Sequence, residues 1–269
     1  MSDLKPARAI AEGVQRQTPG ASDAYRTART DLLEAEIELR RQTEAVAARR
    51  RALPPGPEVR VDYAFQGLLP DGTAGTVRLS ELFREGTATL VVYSYMFPRH
   101  RQDDRPAAQS GETGKLPKDD QPCPSCTALL DQLDPAALHF EALGGNFAVV
   151  AETALPNLLA VARDRGWRNL RLLSSGGTTF KRDTNSLGDD GQQAPMTLVF
   201  KRDVDGTIRL FWASDLVWTE SDPGQDHRAA GTIEPFWNMF DLTPGGRPEA
   251  HEQLEYACCE AKPLPWSAL

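Results

Sequence analysis

The sequence predicts an α/β fold, a central mixed sheet flanked by helices, with a long amino-terminal helix ahead of it. Three observations carry this expectation. Apolar, β-rich runs alternate with helix-periodic segments between residues 59 and 240. The stretch 23–51 contains no Gly or Pro. A Cys-x-x-Cys pair stands where a helix begins, at Cys123 and Cys126.

Taken in order, residues 1–20 are polar and interrupted by Pro and Gly, and are expected to be poorly ordered. A helix is predicted over 23–51, capped by Ser22 or Asp23. Tyr25, Ala28, Leu32, Ala35 and Leu39 line one face, Gln42 interrupts, and Val46 resumes it. Glu36 and Arg40 are spaced to pair on the solvent side. The apolar face needs a partner, either this chain or a second copy in a homodimer. Pro54-Pro55-Gly56-Pro57 ends the helix as a stiff linker.

Val59, Val61, Tyr63 and Phe65 alternate as in a half-buried strand, and Val77–Leu79 suits a second. Residues 88–96 read as a central buried strand. Residues 98–122 carry charge, Pro, Gly, Gln and Ser without an apolar period, which predicts a long, mobile surface loop. A helix follows Cys123; Asp134-Pro135 is expected to close it and open another. Then come a strand at 146–151, a helix at 154–165 stopped by Gly166, a strand at 170–173 and a strand at 196–201. Asp205-Gly206 turns a hairpin into Thr207–Trp212, and 231–240 should include a closing helix. The division expected is a tail and helix at 1–53, the α/β domain at 54–247 and a tail at 248–269.

The chemistry points to Cys123 and Cys126. Unpaired N–H groups and the dipole at a helix start favour a thiolate, and cysteines so placed have pKa values of roughly 3.5–7.5 instead of about 8.5. Cys123, at the mouth and the more exposed, is the expected nucleophile. Cys126, one turn in, is placed to resolve a mixed disulfide. Pro124 suits the first helical position. Ala194-Pro195 precedes an apolar strand, as the cis-proline beside the dithiol does in thioredoxin-like proteins; the alternative is an ordinary strand-opening proline. On these features the α/β domain is expected to be thioredoxin-like, with Ala194, Pro195 and Pro124 at the substrate side.

The chain resembles the bacterial DUF899 family, a thioredoxin-like group without an assigned function. The resemblance runs through Arg50-Arg51-Ala52-Leu53-Pro54, Val92-Tyr93-Ser94-Tyr95-Met96-Phe97, Cys123-Pro124-Ser125-Cys126, Gly166-Trp167, Asp205-Gly206-Thr207 and Asp241-Leu242-Thr243-Pro244-Gly245-Gly246-Arg247. It implies a thioredoxin fold and thiol–disulfide activity on protein or small-molecule thiols and disulfides, without naming a substrate. The loop between Phe97 and Cys123 is longer and more polar than in the family's usual pattern. No Thr-x-x-Cys ends at Cys123 or Cys126, which argues against peroxidase chemistry of the peroxiredoxin type.

The remaining candidates are weaker. Cys258-Cys259 could join the first pair in a zinc site, but the spacing favours simple packing, and no metal or other cofactor is expected. His100, His139, His227 and His251 form no spaced ligand pair; His100 lies in the loop leading to the dithiol. Trp212, Trp218, Phe236 and Trp237 are expected in the core or on a cleft wall. The 269 residues are 40% hydrophobic and 25% charged with a net charge of −8, which disfavours nucleic-acid or anionic-membrane partners. No run approaches the roughly 18 apolar residues of a membrane span, and no secretory leader is legible, so a cytoplasmic setting is expected. The competing function is a thioredoxin-fold binding or scaffolding protein without catalysis.

Overall fold

In the computed structural model, residues 4–14, 18–228 and 233–256 are described. The chain divides into two compact units, Met1–Pro55 and Gly56–Leu269.

In the first unit, α1 (Ala7–Glu12) lies within the stretch expected to lack order. It packs against α2 (Asp23–Arg51) through Ala7, Ala11, Leu33 and Ile37. Ser22 caps α2 by accepting from the Tyr25 N–H, a contact worth about 1 kcal/mol. The face used differs from the one the spacing suggests: Tyr25, Leu32 and Leu39 stay exposed. Glu36 takes Arg29 as its partner at 3.0 Å.

The second unit is built on one seven-stranded sheet of order β2-β1-β5-β4-β3-β6-β7. Its strands are β1 (Ala64–Leu68), β2 (Ala74–Arg78), β3 (Thr89–Tyr95), β4 (Asn146–Ala151), β5 (Leu172–Ser174), β6 (Met196–Arg202) and β7 (Ile208–Ala213). Strand β3 runs parallel to β4 and antiparallel to β6, and β6 pairs antiparallel with β7. With α3 (Pro124–Ala142) joining β3 to β4 and α6 (Pro235–Phe240) after the hairpin, this is the thioredoxin-like arrangement. The β1–β2 hairpin extends the sheet through β5. β1 begins later than the alternation at 59–65 suggests, because the segment before it runs past β7 instead, with Val59 N–H bonded to Ile208 O.

The sheet is covered on both sides, so all six residues of β4 are buried. Val92, Val150, Leu173, Phe180 and Phe200 form the core on one face. Tyr93, Tyr95, Val149 and Leu130 belong to the other, under α3 and α4 (Leu155–Arg165). α4 ends as its sequence dictates, on Gly166 at φ 72°.

Helix α3 does not break at Asp134-Pro135; Pro135 lies inside one continuous helix. The Asp134 carboxylate is taken up elsewhere, accepting the backbone N–H groups of Arg168 and Asn169 at 2.8 Å each. It caps the α4–β5 connection and is not free to start a helix. No helix among the described residues is long and apolar enough to cross a membrane.

Candidate active site

Four successive carbonyls at the end of β3 fix the ground on which the site stands. Tyr95 O accepts from Lys181 Nζ at 2.7 Å. Met96 O accepts the Cys123 N–H at 2.9 Å, and Phe97 O accepts the Thr153 N–H at 2.9 Å. Pro98 O accepts from Gln193 Nε2 at 3.0 Å. Lys181, in the short helix α5 (Phe180–Asp183), is fully enclosed, and burial pushes its ammonium down to about 7. Gln193 Oε1 is its second acceptor.

Cys123 is the N-cap of α3, Pro124 its first residue, and Cys126 lies in the first turn. Both thiols are buried, at 5% and 2% exposure, and are unbridged. Their electrostatics diverge. Hydrogen bonding from Cys126 outweighs burial and, with the Arg105 guanidinium, lowers Cys123 to about 7. Burial first, then the neighbouring Cys123, pushes Cys126 up; a hydrogen bond from Tyr93 only partly opposes this.

Arg105 was not singled out by the sequence, where it is one charge in a charged loop. Its Nη2 lies 3.6 Å from Cys123 Sγ, and its Nη1 donates to Ser125 Oγ at 2.6 Å. Asp103 holds it from behind, accepting from Nε at 2.8 Å and Nη2 at 2.6 Å. The tail contributes Glu252, nearly buried, which accepts from Ser125 Oγ at 2.9 Å and from Trp237 Nε1 at 2.6 Å. Its carbonyl accepts from Arg105 Nη1 at 3.4 Å. Glu252 had no legible signal, because the segment after Pro248 lacks a periodic pattern.

The loop 98–122, expected to be mobile and without anchors, is tied down by polar groups. Its base closes through Arg99 N–H to Gln121 O at 2.8 Å. Buried Gln121 spans it, bonding Ala108 and Leu116. Asp164 accepts from the Thr113 N–H and Oγ1 at 2.7 Å each, and Glu255 accepts from Gln109 and Ser110.

A cleft of about 260 Å³ opens on the two sulfurs; Pro195, Trp237, His227, His251, Glu234 and Glu252 are among its lining residues. Burial, then Glu252, pushes the Glu234 carboxyl up. Three expectations are corrected here. The Ala194–Pro195 bond is trans; the cis bond among the described residues is Phe97–Pro98. Pro195 does border the cleft, but the buried Ala194 donates its N–H to Ser186 O at 2.9 Å and so does not offer it to a substrate chain. Pro124 is buried and outside the cleft lining, where Ser125 stands in its place.

His100 also lies elsewhere, its Nε2 3.8 Å from Asp190. Trp237 is cleft wall, as its residue type suggested, whereas Trp218 is exposed. Cys258 and Cys259 fall outside the described residues. Among the described residues no cluster of three or more His, Cys, Asp or Glu is placed to hold a metal ion.

Fold and site together define a thioredoxin-like protein with a cysteine pair at the start of the helix after its central strand. The chain belongs to the family described as bacterial protein of unknown function, DUF899, whose model matches residues 14–262. No curated protein sequence matches it. Solved structures similar to it include a reduced 2-Cys peroxiredoxin of Plasmodium vivax, 16% identical with a TM-score of 0.39, covering 58% of this chain and 80% of that one. A mitochondrial 2-Cys peroxiredoxin of Plasmodium falciparum is 14% identical with a TM-score of 0.41, covering 72% and 99%. An uncharacterized conserved protein of Geobacillus kaustophilus is 16% identical with a TM-score of 0.39, covering 64% and 73%.

Proposed function

We propose that the chain is a thiol–disulfide oxidoreductase in which Cys123 attacks and Cys126 resolves. The observation that carries this reading is the placement of two unbridged thiols at the start of α3 on one cleft, with the Arg105 guanidinium 3.6 Å from Cys123 Sγ, where it helps to lower Cys123 to about 7. A nucleophile with a pKa near the ambient pH is the efficient one, because it is ionised yet still strongly basic.

In the proposed reaction the Cys123 thiolate attacks one sulfur of a substrate disulfide. The S–S bond breaks, and the departing thiolate takes a proton from solvent. Cys126 then loses its proton and attacks Cys123 Sγ, expelling the second substrate thiolate, which takes up that proton. The protein dithiol is oxidised by two electrons and the substrate disulfide is reduced to two thiols. A second thiol reductant must return the pair to its starting state. A cytoplasmic setting, in which such reductants are maintained, fits this direction. Arg105 acts as a positioning residue, holding the thiolate and Ser125, and Pro195 forms part of the wall a substrate meets.

Both sulfurs are nearly enclosed, which favours a second reading, a binding or scaffolding protein whose thiols stay idle. Alkylation rates of Cys123→Ser and Cys126→Ser against pH separate the two. The Cys126→Ser chain should label at Cys123 with a midpoint at or modestly above 7, and Cys123→Ser should label slowly at neutral pH. Faster neutral-pH labelling of Cys126 reverses the assignment. Failure of the wild-type pair to cycle between dithiol and disulfide in a glutathione buffer overturns the oxidoreductase reading.

A further inference from the structure

Met96, the first residue beyond β3, holds both ends of the cysteine pair. Its carbonyl accepts the Cys123 N–H at 2.9 Å, and its own N–H donates to the Cys126 sulfur. That N–H shares a peptide group with Tyr95 O, which accepts from Lys181 Nζ at 2.7 Å. One planar peptide therefore stands between a buried amine and the resolving sulfur, its oxygen on the first and its N–H on the second. A cation at the oxygen polarises the N–H, and hydrogen bonds joined in this way strengthen one another.

Lys181 is 3% exposed and lies outside the cleft lining. Its second acceptor, Gln193 Oε1, is uncharged, and Gln193 is itself fixed by donating to Pro98 O at 3.0 Å. Burial opposes the charged form of such a lysine, which is favoured again when negative charge arises nearby. The charges that act on it in that sense are Glu152, exposed just beyond β4, and Cys126 on α3. Of these, Cys126 is the one the peptide connects to it, and in the proposed reaction Cys126 must pass through a thiolate.

We propose that Lys181 is a positioning residue for the resolving step: its ammonium, acting through the Tyr95–Met96 peptide, steadies the Cys126 sulfur as it becomes a thiolate. The inference rests on the oxidoreductase reading and deepens it, by naming the group that offsets the charge of the second thiolate. The balance is the one given above. Cys126 loses its proton and bonds to Cys123, and the substrate thiolate leaves and takes up that proton. Lys181 contributes charge and forms no covalent bond.

The reduced protein is mixed with bis(2-hydroxyethyl) disulfide, quenched with acid and mapped by peptide mass spectrometry. The map separates the mixed disulfide on Cys123 from the closed Cys123–Cys126 pair, so attack and closure are timed independently. Parent and Lys181→Met are compared from pH 5.5 to 9. Two hydrogen bonds and a peptide group span at most about 8 Å. Through an effective dielectric of about 20, a unit charge at that distance changes the thiolate population by about tenfold or more. At pH 6, below the lysine's value of about 7, closure should be about tenfold slower in Lys181→Met and the mixed disulfide should accumulate. Attack by Cys123 should change less than about twofold. By pH 9 the amine of the parent is neutral, and the two closure rates should converge.

Lys181→Gln keeps a donor for Tyr95 O without the charge, and it should show the same profile if Lys181→Met fails to fold. Equal closure rates at pH 6, a loss of the same factor at every pH, or an equal loss in the attack by Cys123 overturns the role of Lys181 and leaves the dithiol reading standing. A parent that forms neither the mixed disulfide nor the closed pair overturns both.

Discussion

Replacing Arg105 with Gln should raise the pKa of Cys123 by about one unit. The size follows from charges at known distances. At the 3.6 Å between Arg105 Nη2 and Cys123 Sγ, an effective dielectric of about 20 gives an attraction of about 4.6 kcal/mol. Solvent in the cleft screens it; at the dielectric of water, about 80, the same attraction is about 1.2 kcal/mol, so the loss is close to one pKa unit at the least. Asp103, which clasps the same guanidinium, repels the thiolate and stays in place in Arg105→Gln, so it does not offset the loss. A thiol at about 7 then titrates near 8, and its thiolate fraction at pH 7 falls from about one half to about one tenth.

The reverse substitution supplies a sign test. Asp103→Asn leaves the guanidinium uncompensated and should lower the Cys123 pKa. Alkylation of Cys123, resolved by peptide mass spectrometry and followed from pH 5 to 10, measures both, with thermal unfolding as a check that each variant folds. A midpoint unmoved in Arg105→Gln, or raised in Asp103→Asn, refutes the electrostatic account.

Three further outcomes are expected. Glu252→Ala removes two hydrogen bonds to a charged acceptor, each worth about 1.5–3 kcal/mol; labelling of Cys123 by a bulky maleimide should rise about tenfold or more relative to labelling by iodoacetamide, and an unchanged ratio would mean that residues 248–256 do not restrict access. Lys181 titrates at about 7 in the fold against 10.5 in the unfolded chain, so between those values the unfolded state binds the extra proton and stability should rise with pH; in Lys181→Met urea unfolding at pH 7.5 and 9.5 should show a smaller rise than in the parent, and an equal rise contradicts the assignment. Deleting residues 1–53 and measuring mass by light scattering tests whether the exposed row Tyr25, Leu32 and Leu39 of α2 joins two copies: a dimeric parent and monomeric remainder support it, and an unchanged number of chains excludes it.

The elements that sequence pattern located correctly are those governed by local rules. α2 carries a cap residue and an uninterrupted helical run; α4 is stopped by a glycine that must take a positive φ; the β6–β7 hairpin turns at Asp205-Gly206. Cys123 and Cys126 were legible because their spacing at a helix start has a physical use independent of the rest of the fold. What escaped depends on contacts distant in sequence. Asp134-Pro135 reads as a helix boundary until Arg168 and Asn169 occupy the carboxylate. Ala194-Pro195 reads as a substrate-facing pair until Ser186 takes the amide. The face of α2 that packs is chosen by Ala7 and Ala11 of a helix six residues long, too short to stand out by periodicity. Arg105 and Glu252 sit in stretches with no period at all, separated by nearly the length of the domain, and only the folded chain brings them to Ser125.

These polar contacts also explain how a loop with few apolar anchors, Leu116 and Ala108 among them, is held in one place. Burial of apolar side chains holds the sheet and α3, but it cannot hold residues 98–122, which have few to bury. Hydrogen bonds do so instead, and they work here because the groups they engage are shielded: Gln121, Thr113 and Asp103 each find partners in a setting where leaving one unpaired costs about 1–3 kcal/mol. The four carbonyls from Tyr95 to Pro98 anchor the loop's entry, and the Cys123 amide bonded to Met96 anchors its exit. Between those fixed ends Arg105 is delivered to within 3.6 Å of Cys123 Sγ. The guanidinium that lies 3.6 Å from Cys123 Sγ also donates to Ser125 Oγ and to the Glu252 carbonyl, so one side chain joins the loop, the start of α3 and the tail.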